Sequence, residues 1–446
     1  MKIVLGIPWF TPTFMGGTEV YVSGLAEELR LLGIECVIAA PSADGKARTS
    51  KYRNTRIFHY PGPWEDAPTR SVLDCGNADL FRDWLSSERP DVYHQHDWSP
   101  NCGLAHLRAA KGMGIPTFLT VHLAKLVCIT RLMICEGASQ CDGEIIEQRC
   151  ARCFMKSRGI PASVAASLAQ IPSAISVNFE TFPVVGRVLA GGLRAKRALA
   201  GIGQVAETVD GIVTVCDWLR SALLINGVPQ NKVSFVRSGV DPEIAAVAVP
   251  PRRHSGVLRI GFIGRWLEPK GLHVLIEALE QLPKEVRFHL KVVGVAGTDK
   301  VDIAYRDRIE KLVAGNSQYE FVANQPREAM NEFYQDIDVL AVPSQLLETG
   351  PLVVLEANAW KVPVIGSDLG GIRELVRHQA TGLLVPHDDV GAWTGALRQL
   401  AQDPAILQRF RENIGPVRTM RDTAHEMANL YGWQVDYTAN LLTTSG

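Results

Sequence analysis

The sequence predicts an α/β protein built from two doubly wound, Rossmann-like domains that face a common cleft. A chain of 446 residues is too long for one hydrophobic core, and two domains of about 200 residues each are the usual solution. Short β-rich runs alternate with amphipathic helical patterns in both halves, which is typical of parallel sheets covered on both faces. The proline-rich segment Ala245–Gly256 separates the two series. Ligands of such sheets bind beside the carboxyl ends of the strands.

The N-terminal half, residues 1–245, begins with the strand "KIVLGI" and the helix "GGTEVYVSGLAEELRLLG". Val20, Leu25, Leu29 and Leu32 form the apolar face of this helix, and Gly33 ends it. Further strands are predicted in "IECVIAA", "TRIFHY", "DVYHQH", "PTFLTVH", "DGIVTVCD" and "KVSFVRSGVD". Residues 122 to about 204 interrupt the alternation and are predicted to be an insertion.

The C-terminal half, residues 256–420, repeats the rhythm. Its predicted strands are "VLRIGFIGR", "RFHLKVVG", "YEFVAN", "DVLAVPS", "VPVIGS" and "TGLLVP". Helices are predicted over Gly271–Gln281, Tyr305–Ala314 and Pro351–Trp360. The last segment, residues 421–446, is predicted to return as a helix to the first domain.

Composition and charge exclude several classes of protein. The formal net charge is -1, which argues against a general nucleic-acid binder, because phosphate affinity needs clustered cations. The apolar run Ile3–Ile7 is too short for the core of a signal peptide. The uncharged stretch Ile160–Phe179 is long enough for a membrane span but too weakly hydrophobic. A cytoplasmic protein is therefore predicted, in a compartment where disulfides are disfavoured.

Two cations flank a turn between a strand and a helix in the C-terminal half. Arg265 follows Gly264 at the predicted end of a strand, and Lys270 lies near the start of the next helix. A helix N-terminus offers free N–H groups and a partial positive charge, so this turn suits a diphosphate. The alternative is a pair of solvated cations on a loop, which would be favoured if the two residues stood alone.

A second turn carries carboxylates. Glu348 follows a predicted strand, Pro351 opens the next helix, and Glu356 lies within it among apolar residues. The two carboxylates can accept hydrogen bonds from sugar hydroxyls, while the amides of Leu352 and Val353 face phosphate oxygens. The alternative for Glu356 is a carboxylate at the polar edge of a packed helix.

The ordered set "GRWLEPKG", "ETGPLVVLEA", "PVIGSDLGGIRELV" and "TGLLVP" resembles the retaining glycosyltransferases of the GT-B fold, family 4, or glycosyltransferase group 1. The resemblance extends over nearly the whole chain, including "GGTEVYVSGLAEELRLLGIECVI" near its start. The E-x7-E pair of the family corresponds to Glu348 and Glu356. Its arginine and lysine correspond to Arg265 and Lys270.

The resemblance implies a role for each matched residue. Arg265 and Lys270 hold the diphosphate of the donor and stabilise it as it leaves. Glu356 binds the nucleotide ribose and Glu348 the donor sugar, within a donor-binding set that also contains Gly16, Gly17, Gly264, Thr349, Gly350, Leu352 and Val353. His122 faces the donor sugar. The chain departs from the family where Leu123 replaces an aspartate, where "SGVD" replaces "NGVD" and where Pro351 lacks an amide.

Three further motifs have competing interpretations. His94 and His96 of "HQHD" share one face of a strand, so a metal pair is weighed against hydrogen-bonded or acceptor-facing histidines. "DID" resembles a metal triplet of another glycosyltransferase fold, but it precedes a strand, and Asp338 is interpreted as structural. The basic cluster Arg187, Arg194, Lys196 and Arg197 is either a solvated helix face or a contact with an anionic membrane surface or lipid diphosphate.

The stretch Cys128–Cys153 holds five of the nine cysteines of the chain. Cys150 and Cys153 form a C-x2-C pair, a spacing that can present two thiolates to one metal. Some members of the resembled family carry a similar cysteine-rich insertion, and that comparison selects Cys128, Cys141, Cys150 and Cys153, with Cys135 left over. Four thiolates suit structural zinc or an iron–sulfur cluster. The alternative is a set of reduced, unligated thiols.

The resemblance implies a retaining hexosyltransferase that needs no cofactor for catalysis. It would move a sugar from a UDP- or GDP-sugar to a saccharide or lipid-linked saccharide acceptor in polysaccharide or glycoconjugate biosynthesis. The acceptor would bind mainly to the N-terminal domain, and the enzyme could contact the inner face of the membrane. A nucleotide-sugar epimerase and a non-catalytic sugar-nucleotide-binding scaffold are the alternatives.

Overall fold

The protein is described here from a computed structural model that covers residues 1–446, apart from 11–15, 43, 62–77, 100, 172–185, 187–188, 251–255, 295–296, 298, 324–328 and 434–446. The chain divides into two compact units. Unit 1 comprises Met1–Gly239 and Thr419–Gly446, and unit 2 comprises Val240–Arg418.

Unit 1 is built around a sheet that is parallel except at one edge. Within its described residues the strand order is β10-β9-β6-β5-β1-β2-β4-β3, and only β3 runs antiparallel to its neighbour. Its elements, in chain order, are β1 (Lys2–Gly6), α1 (Gly17–Leu31), β2 (Glu35–Ser42), β3 (Arg48–Tyr52), β4 (Thr55–Pro61), α2 (Ala78–Glu88), β5 (Val92–His96), α3 (Leu104–Gly112), β6 (Thr117–Val121), β7 (Ile134–Cys135), β8 (Ser139–Gln140), α4 (Glu147–Lys156), α5 (Ala162–Leu168), α6 (Gly191–Thr208), β9 (Gly211–Thr214), α7 (Asp217–Ile225) and β10 (Val233–Phe235).

Unit 2 is a parallel sheet in the strand order β13-β12-β11-β14-β15-β16, counted over the described ranges. Its elements are α8 (Pro242–Ala245), β11 (Leu258–Ile263), α9 (Leu272–Glu280), β12 (Phe288–Val293), α10 (Lys300–Leu312), β13 (Tyr319–Val322), α11 (Met330–Asp336), β14 (Val339–Val342), α12 (Leu352–Ala359), β15 (Val364–Ser367), α13 (Gly370–Leu375), β16 (Gly382–Val385), α14 (Val390–Gln402) and α15 (Pro404–Asn413). The chain then returns to unit 1 as α16 (Met420–Leu430), which packs against α1.

Both faces of the unit 2 sheet are covered, as expected for a parallel sheet. Strand β14 shows how: Val339 and Ala341 belong to one buried cluster, and Leu340 and Val342 belong to another. Because side chains alternate across a strand, the two clusters lie on opposite faces of the sheet. This continuous apolar character is why the strands of this half could be predicted from sequence.

Three of the differences between the structure and the sequence-based expectations have an evident physical cause. The edge strand β3 was not predicted, because Arg48–Tyr52 is polar and lacks the apolar alternation of a half-buried strand. Helix α10 starts five residues before the predicted Tyr305, because Asp299 caps it by accepting from the amides of Val301 and Asp302. The unit boundary lies at Gly239/Val240 rather than at residue 245, because the Val240 amide donates to the Arg418 carbonyl of unit 2.

Candidate functional site

The strand-to-helix turn that the sequence predicts around Arg265 and Lys270 is present in unit 2. Strand β11 leads through Gly264 and Arg265 into a short 3-10 turn over Glu268–Lys270, and α9 begins at Leu272. Arg265 is exposed. Burial and the Asp299 charge raise the pKa of Asp302, and the nearby Arg265 charge opposes them. The Arg265 guanidinium is therefore presented at the surface with a carboxyl group in its electrostatic range.

Gly271 is required by the turn itself. Its φ of 73° is left-handed, and a Cβ there would lie 1.8 Å from the carbonyl oxygen of Pro343. The same two loops are also tied by the Gln345 amide, which donates to the Pro269 carbonyl at 2.7 Å. The loop that carries Lys270 is thus packed directly on the loop that leads to Glu348.

Lys270 and Glu348 meet in an ion pair. The Lys270 Nζ lies 2.7 Å from Glu348 Oε1, and the Ser344 hydroxyl donates to the same oxygen at 2.7 Å. The Glu348 side chain is 13% exposed and that of Lys270 is 30% exposed, so a partly desolvated ion pair connects the two predicted motifs. Sequence reasoning named both ends but did not pair them, and it did not name Ser344.

The backbone of Glu348–Gly350 is held by the start of α13. The Gly371 amide donates to the Glu348 carbonyl at 2.7 Å. A Cβ on Gly371 would lie 2.3 Å from the Gly350 nitrogen and 2.6 Å from the Glu348 oxygen. Gly371 therefore allows a close backbone approach that positions Glu348 and Thr349, and only the "GG" of "DLGGIREL" hinted at it.

Helix α12 presents its N-terminus beside this loop. It begins at Leu352 with Pro351 as the N-cap, one residue later than predicted, and Val353 follows in the first turn. Glu356 lies one turn further along, half-buried, and accepts a hydrogen bond from the Tyr334 hydroxyl at 2.7 Å. The predicted set Gly264, Arg265, Lys270, Glu348–Gly350, Leu352, Val353 and Glu356 thus lies on the loops and helix starts that follow β11 and β14 within unit 2.

Asp338 has a structural role, as the sequence analysis interpreted it. Its carboxylate accepts from the Arg259 amide, Nε and Nη2 at 3.0 to 3.2 Å. Arg411 adds a contact at 3.4 Å from α15. These bonds tie the start of β14 to β11 and to the last helix of the unit.

His122 lies directly after β6 in a buried histidine cluster of unit 1. His96 Nδ1 is 3.2 Å from His122 Nε2, and the His94 and His96 rings stack with centroids 4.3 Å apart. His94 bonds to the hydroxyls of Thr120 and Tyr431. The structure therefore gathers side chains from β5, β6 and the region after α16, which favours the hydrogen-bonded interpretation of "HQHD" over a metal pair.

Burial keeps these imidazoles neutral. It lowers the pKa of His94 and of His122 to about 3, and the pKa of His96 falls well below its usual value. A neutral imidazole can accept at one ring nitrogen and donate at the other. His96 Nε2 is a buried nitrogen that has no hydrogen-bond partner among the described residues.

Asp97, the last residue of "HQHD", was given no role in the sequence analysis. Its φ of 69° is left-handed, which is unusual for a residue other than glycine. The residue is 3% exposed, its Oδ2 lies 3.5 Å from Lys125 Nζ, and Oδ1 has no hydrogen-bond partner in the described part of the chain. Burial raises the pKa of this carboxyl, and Lys125 opposes the effect. Strained, buried polar residues are concentrated at functional sites.

The Gly16–Gly17 pair lies at the start of α1. Gly16 is the N-cap, and Glu19 stands in the first turn of the helix. A Cβ on Gly16 would lie 2.9 Å from Glu19 Oε2, so this carboxylate already covers part of the predicted phosphate-facing end. The sequence analysis had not considered Glu19.

The cysteine stretch folds as a small hairpin, β7–β8, followed by α4. Cys150 and Cys153 lie one turn apart on α4, and the Glu136 amide donates to Cys153 Sγ at 3.3 Å. All five cysteines of the stretch are free thiols. Burial raises the pKa of Cys150 to about 11, with Cys128 and Cys141 close enough to raise it further.

The thiols share a neighbourhood but are not gathered at coordinating distance. Among the described residues, no three His, Cys, Asp or Glu side chains are placed to hold a metal ion. The donor chemistry suits zinc or an iron–sulfur cluster. Metal binding by Cys128, Cys141, Cys150 and Cys153 therefore stays a prediction.

The basic cluster is placed only in part. Arg187 lies outside the described residues. Arg194, on α6, lies over the Phe154 ring at 5.2 Å, while Lys196 is exposed. Among the helices that the structure describes, none has the length and hydropathy needed to cross a membrane.

Comparison with known proteins identifies the family of the chain. Residues 16–239 match the family model described as glycosyl transferase 4-like domain, and residues 251–415 match the one described as glycosyl transferases group 1. The chain belongs to the glycosyl transferase 4-like family. The first match lies within unit 1 and the second within unit 2.

Two curated relatives illustrate the similarity. A D-inositol 3-phosphate glycosyltransferase of Kineococcus radiotolerans is 33% identical over 229 residues, which cover 46% of this chain and 52% of that protein. The amylovoran biosynthesis glycosyltransferase AmsK of Erwinia amylovora is 30% identical over 192 residues, or 41% of this chain and 45% of that protein. The chain thus spans about half the length of the curated relatives it matches.

Solved structures establish the fold over nearly the whole chain. Sucrose-phosphate synthase from Thermosynechococcus elongatus has a TM-score of 0.67 at 19% identity and covers 97% of this chain and 98% of its own. Anabaena HepE in complex with UDP and glucose has a TM-score of 0.63 at 13% identity, covering 97% and 99%. The fold is the GT-B type, with two Rossmann-like units.

Proposed function

We propose that the protein is a retaining glycosyltransferase that uses a UDP- or GDP-sugar donor and a saccharide or lipid-linked saccharide acceptor. The observation that carries this proposal is the Lys270–Glu348 ion pair, 2.7 Å long and set between two strand-to-helix turns of unit 2. The pair joins the residue proposed to hold the diphosphate to the residue proposed to hold the sugar.

The ion pair suggests how a donor enters the site. A diphosphate carries more charge than one carboxylate, so it would draw Lys270 away from Glu348 and pair with Arg265 as well. Glu348 would then accept hydrogen bonds from hydroxyls of the donor sugar, while Ser344 keeps its carboxylate oriented. Binding the donor would thus exchange one internal ion pair for several contacts to the ligand.

The proposed chemistry needs no strong base from the chain. The acceptor oxygen attacks the anomeric carbon on the face from which the diphosphate departs, and the bond between that carbon and the phosphate oxygen breaks. The departing phosphate oxygen takes the proton of the acceptor hydroxyl. Arg265 and Lys270 stabilise the charge that develops on the leaving group. This scheme agrees with the neutral state of the buried histidines, which offer hydrogen bonds rather than charge.

Unit 1 is proposed to bind the acceptor. Its support is the buried cluster at the carboxyl ends of β5 and β6, where His122, His96 and Asp97 stand. His96 Nε2 and Asp97 Oδ1 are unpartnered among the described residues, and such groups are usually satisfied by a ligand or water. Hydroxyl groups of a saccharide offer both donors and acceptors to them.

The experiment that tests this function is release of nucleoside diphosphate from a panel of UDP-, GDP- and ADP-sugars, with saccharide acceptors added. The wild type is expected to release the diphosphate and form a glycoside with retained anomeric configuration, seen by NMR. Glu348→Gln should lose this activity, and Asp336→Asn, an exposed residue outside the site, should keep it. Formation of an isomeric nucleotide sugar without release would favour the epimerase. Full biological activity of Glu348→Gln would favour the scaffold.

A structural metal in the cysteine stretch is proposed separately. Two observations support it. Cys128 is close enough to Cys141, Cys150 and Cys153 to affect their pKa values, and the Glu136 N–H donates a hydrogen bond to Cys153 Sγ. Metal analysis and an absorption spectrum of anaerobically purified protein would distinguish zinc from an iron–sulfur cluster. Cys150→Ser should lose the metal and lower the melting temperature while nucleotide binding survives. Equal metal content in the two proteins would contradict the proposal.

Contact with an anionic membrane surface, for a protein in the cytoplasm, is also proposed. The exposed Lys196 and the neighbouring Leu199, 40% exposed on α6, support it. Co-sedimentation with phosphatidylglycerol vesicles should exceed that with phosphatidylcholine vesicles and should fall in Lys196→Glu. Equal sedimentation with both lipids would contradict a charge-driven contact.

A further inference from the structure

Tyr334 is a buried residue whose hydroxyl is directed at the site. It lies on α11 and is 1% exposed. Its hydroxyl lies 2.7 Å from Glu356 Oε2 and 3.5 Å from the Val353 carbonyl, one turn earlier on α12. A phenol has a single proton to donate, and the shorter contact to a carboxylate receives it. Tyr334 is thus joined to the second carboxylate of the E-x7-E pair.

The hydroxyl group is not needed to fill space. The adjacent Phe333 is 3% exposed and packs in the same cluster with no polar atom. A buried hydroxyl costs free energy unless it is hydrogen-bonded, whereas a ring alone would not. The hydroxyl is therefore retained at a cost that the bond to Glu356 offsets, and this bond is charge-assisted.

The bond restricts Glu356 to one orientation. Glu356 lies between Leu355 and Ala357, both buried, so its flexible side chain leaves the helix beside apolar surface. Fixing its rotamer before the ligand arrives removes an entropy cost from binding. Each carboxylate oxygen can accept two hydrogen bonds, so the bond from Tyr334 does not by itself use the full capacity of Oε2.

We propose that Tyr334 is a positioning residue that orients the Glu356 carboxylate to receive the two adjacent ribose hydroxyls of the nucleotide. The inference rests on the proposed function, because it assumes that unit 2 binds a nucleoside diphosphate. It goes further by assigning a role to a residue outside the E-x7-E pattern. Tyr334 acts through Glu356 and does not touch the ligand.

The test compares two ligands by isothermal titration calorimetry. One is the tightest binder among UDP, GDP and ADP, and the other is its 2′,3′-dideoxy analogue, which lacks both ribose hydroxyls. The wild type is expected to bind the ribonucleotide more tightly. Tyr334→Phe should weaken the ribonucleotide about tenfold, the scale of one hydrogen bond to a charged group, and should change the analogue by less than about twofold.

Tyr319→Phe is the matched control. The Tyr319 hydroxyl also donates to a carboxylate, Glu280 Oε1 at 2.5 Å, and the residue is 8% exposed in the same unit. Its partner lies at the end of α9, away from the residues of the site. Removing this hydroxyl should leave both affinities unchanged, so it corrects for the general loss of a buried hydrogen bond.

Each other outcome has a distinct meaning. Equal weakening of both ligands in Tyr334→Phe, or no weakening of either, would overturn the positioning role. A wild type that binds both ligands equally would refute the ribose role of Glu356 and this inference with it, although the diphosphate site would stand. A wild type that binds none of the three nucleotides would refute the proposed function itself.

A second variant covers the case in which Tyr334→Phe does not fold. Genetically encoded 3,5-difluorotyrosine at position 334 keeps the ring and strengthens the hydroxyl as a donor. The preference for the ribonucleotide over its analogue should be kept or increased. Loss of that preference in a protein with the melting temperature of the wild type would overturn the proposal.

Discussion

The two candidate regions are built on the same kind of parallel sheet but treat their polar groups in opposite ways. In unit 2 the cations and carboxylates are partly exposed, in strand-to-helix turns and on α12, and Lys270 and Glu348 are paired at 2.7 Å. In unit 1 the histidines are buried and neutral, and Asp97 is a nearly inaccessible carboxyl. The first region is suited to a highly charged ligand, and the second is suited to uncharged hydroxyl groups.

The difference shows which groups must lose water when each kind of ligand binds. A diphosphate remains strongly solvated until it meets cations that are themselves accessible, so a partly exposed site limits the cost of binding. An uncharged saccharide gains more from fixed, dry hydrogen-bonding groups. The predictions below separate the two regions, beginning with the largest expected effect.

Arg265→Ala should reduce the release of nucleoside diphosphate at least about 100-fold, because the leaving group loses a preorganised cation. The melting temperature should stay unchanged, since the Arg265 side chain is exposed. Steady-state kinetics and thermal unfolding measure the two quantities. Arg306→Ala is the control and should keep full activity, because this arginine of unit 2 is 42% exposed at its side chain and pairs with Asp307. Similar losses in both variants would mean that general surface charge, rather than the turn, stabilises the diphosphate.

Mild acid should destabilise unit 1 more than unit 2. The buried histidines have pKa values lowered in the folded state, so the unfolded state binds more protons and stability falls as pH drops below about 6.5. The pKa values of His94 and His122 in the folded state are about 3. Each histidine should therefore lower the free energy of unfolding by about 2 kcal/mol when the pH falls from 7 to 5. Calorimetry at both pH values measures the two unfolding transitions.

Two variants sharpen this pH prediction. His94→Gln should reduce the pH dependence of the unit 1 transition, whereas His378→Gln, an exposed histidine of unit 2, should not change it. If both transitions moved equally with pH, the contrast between a buried neutral site and an exposed charged one would be wrong.

Gly371→Ala should disturb the Glu348 loop, because its Cβ would lie 2.3 Å from the Gly350 nitrogen. The loop must shift to relieve this contact, which should weaken binding of a nucleotide sugar about tenfold or more and cost about 1–3 kcal/mol of stability. Gly395→Ala is the matched control, since a Cβ there meets nothing within 4 Å in helix α14. It should be neutral or stabilising. Unchanged sugar binding in Gly371→Ala, measured by calorimetry, would disprove the positioning of Glu348 by α13.

Asp97→Asn should impair transfer to the acceptor but stabilise the fold at neutral pH. The folded pKa of Asp97 is raised by burial above its usual 3.8, so the folded state holds a proton more readily and stability falls as pH rises through the folded pKa. Removing the charge should therefore gain about 1 kcal/mol at pH 7, and the gain should vanish at acid pH. Urea unfolding at several pH values measures it. A loss of stability at pH 7 would instead make Asp97 a structural partner of Lys125.

The success of prediction from sequence also differed between apolar and polar segments of the chain. Apolar runs such as "DVLAVPS" predicted the sheets because both faces of a parallel sheet are buried. Arg265, Lys270, Glu348 and Glu356 could be named because charged residues beside strand-to-helix turns stand out against an apolar background. Polar Arg48–Tyr52 gave no such signal, and the edge strand was missed.

The contacts that complete the sites could not be derived from sequence. Tyr334 and Glu356 are 22 residues apart, and His96 and His122 are 26 apart. The first pair meets because helices α11 and α12 pack together, and the second because β5 and β6 are neighbours in the unit 1 sheet. In the sequence Gly371 resembles any glycine of a turn, and only its distance to Gly350 shows why glycine is needed there. The left-handed backbone of Asp97 has no sequence signature.

The most direct test of the central claim is a calorimetric titration of the wild type with UDP, GDP and ADP, followed by thermal unfolding at saturation. At least one of the three should bind and raise the unfolding temperature of unit 2. At a ligand concentration of 100 times Kd, the free energy of unfolding should rise by about 2.7 kcal/mol. Arg265→Ala should abolish this shift. If none of the three nucleotides bound, or if the shift persisted in Arg265→Ala, the assignment of the diphosphate site to unit 2 would be contradicted.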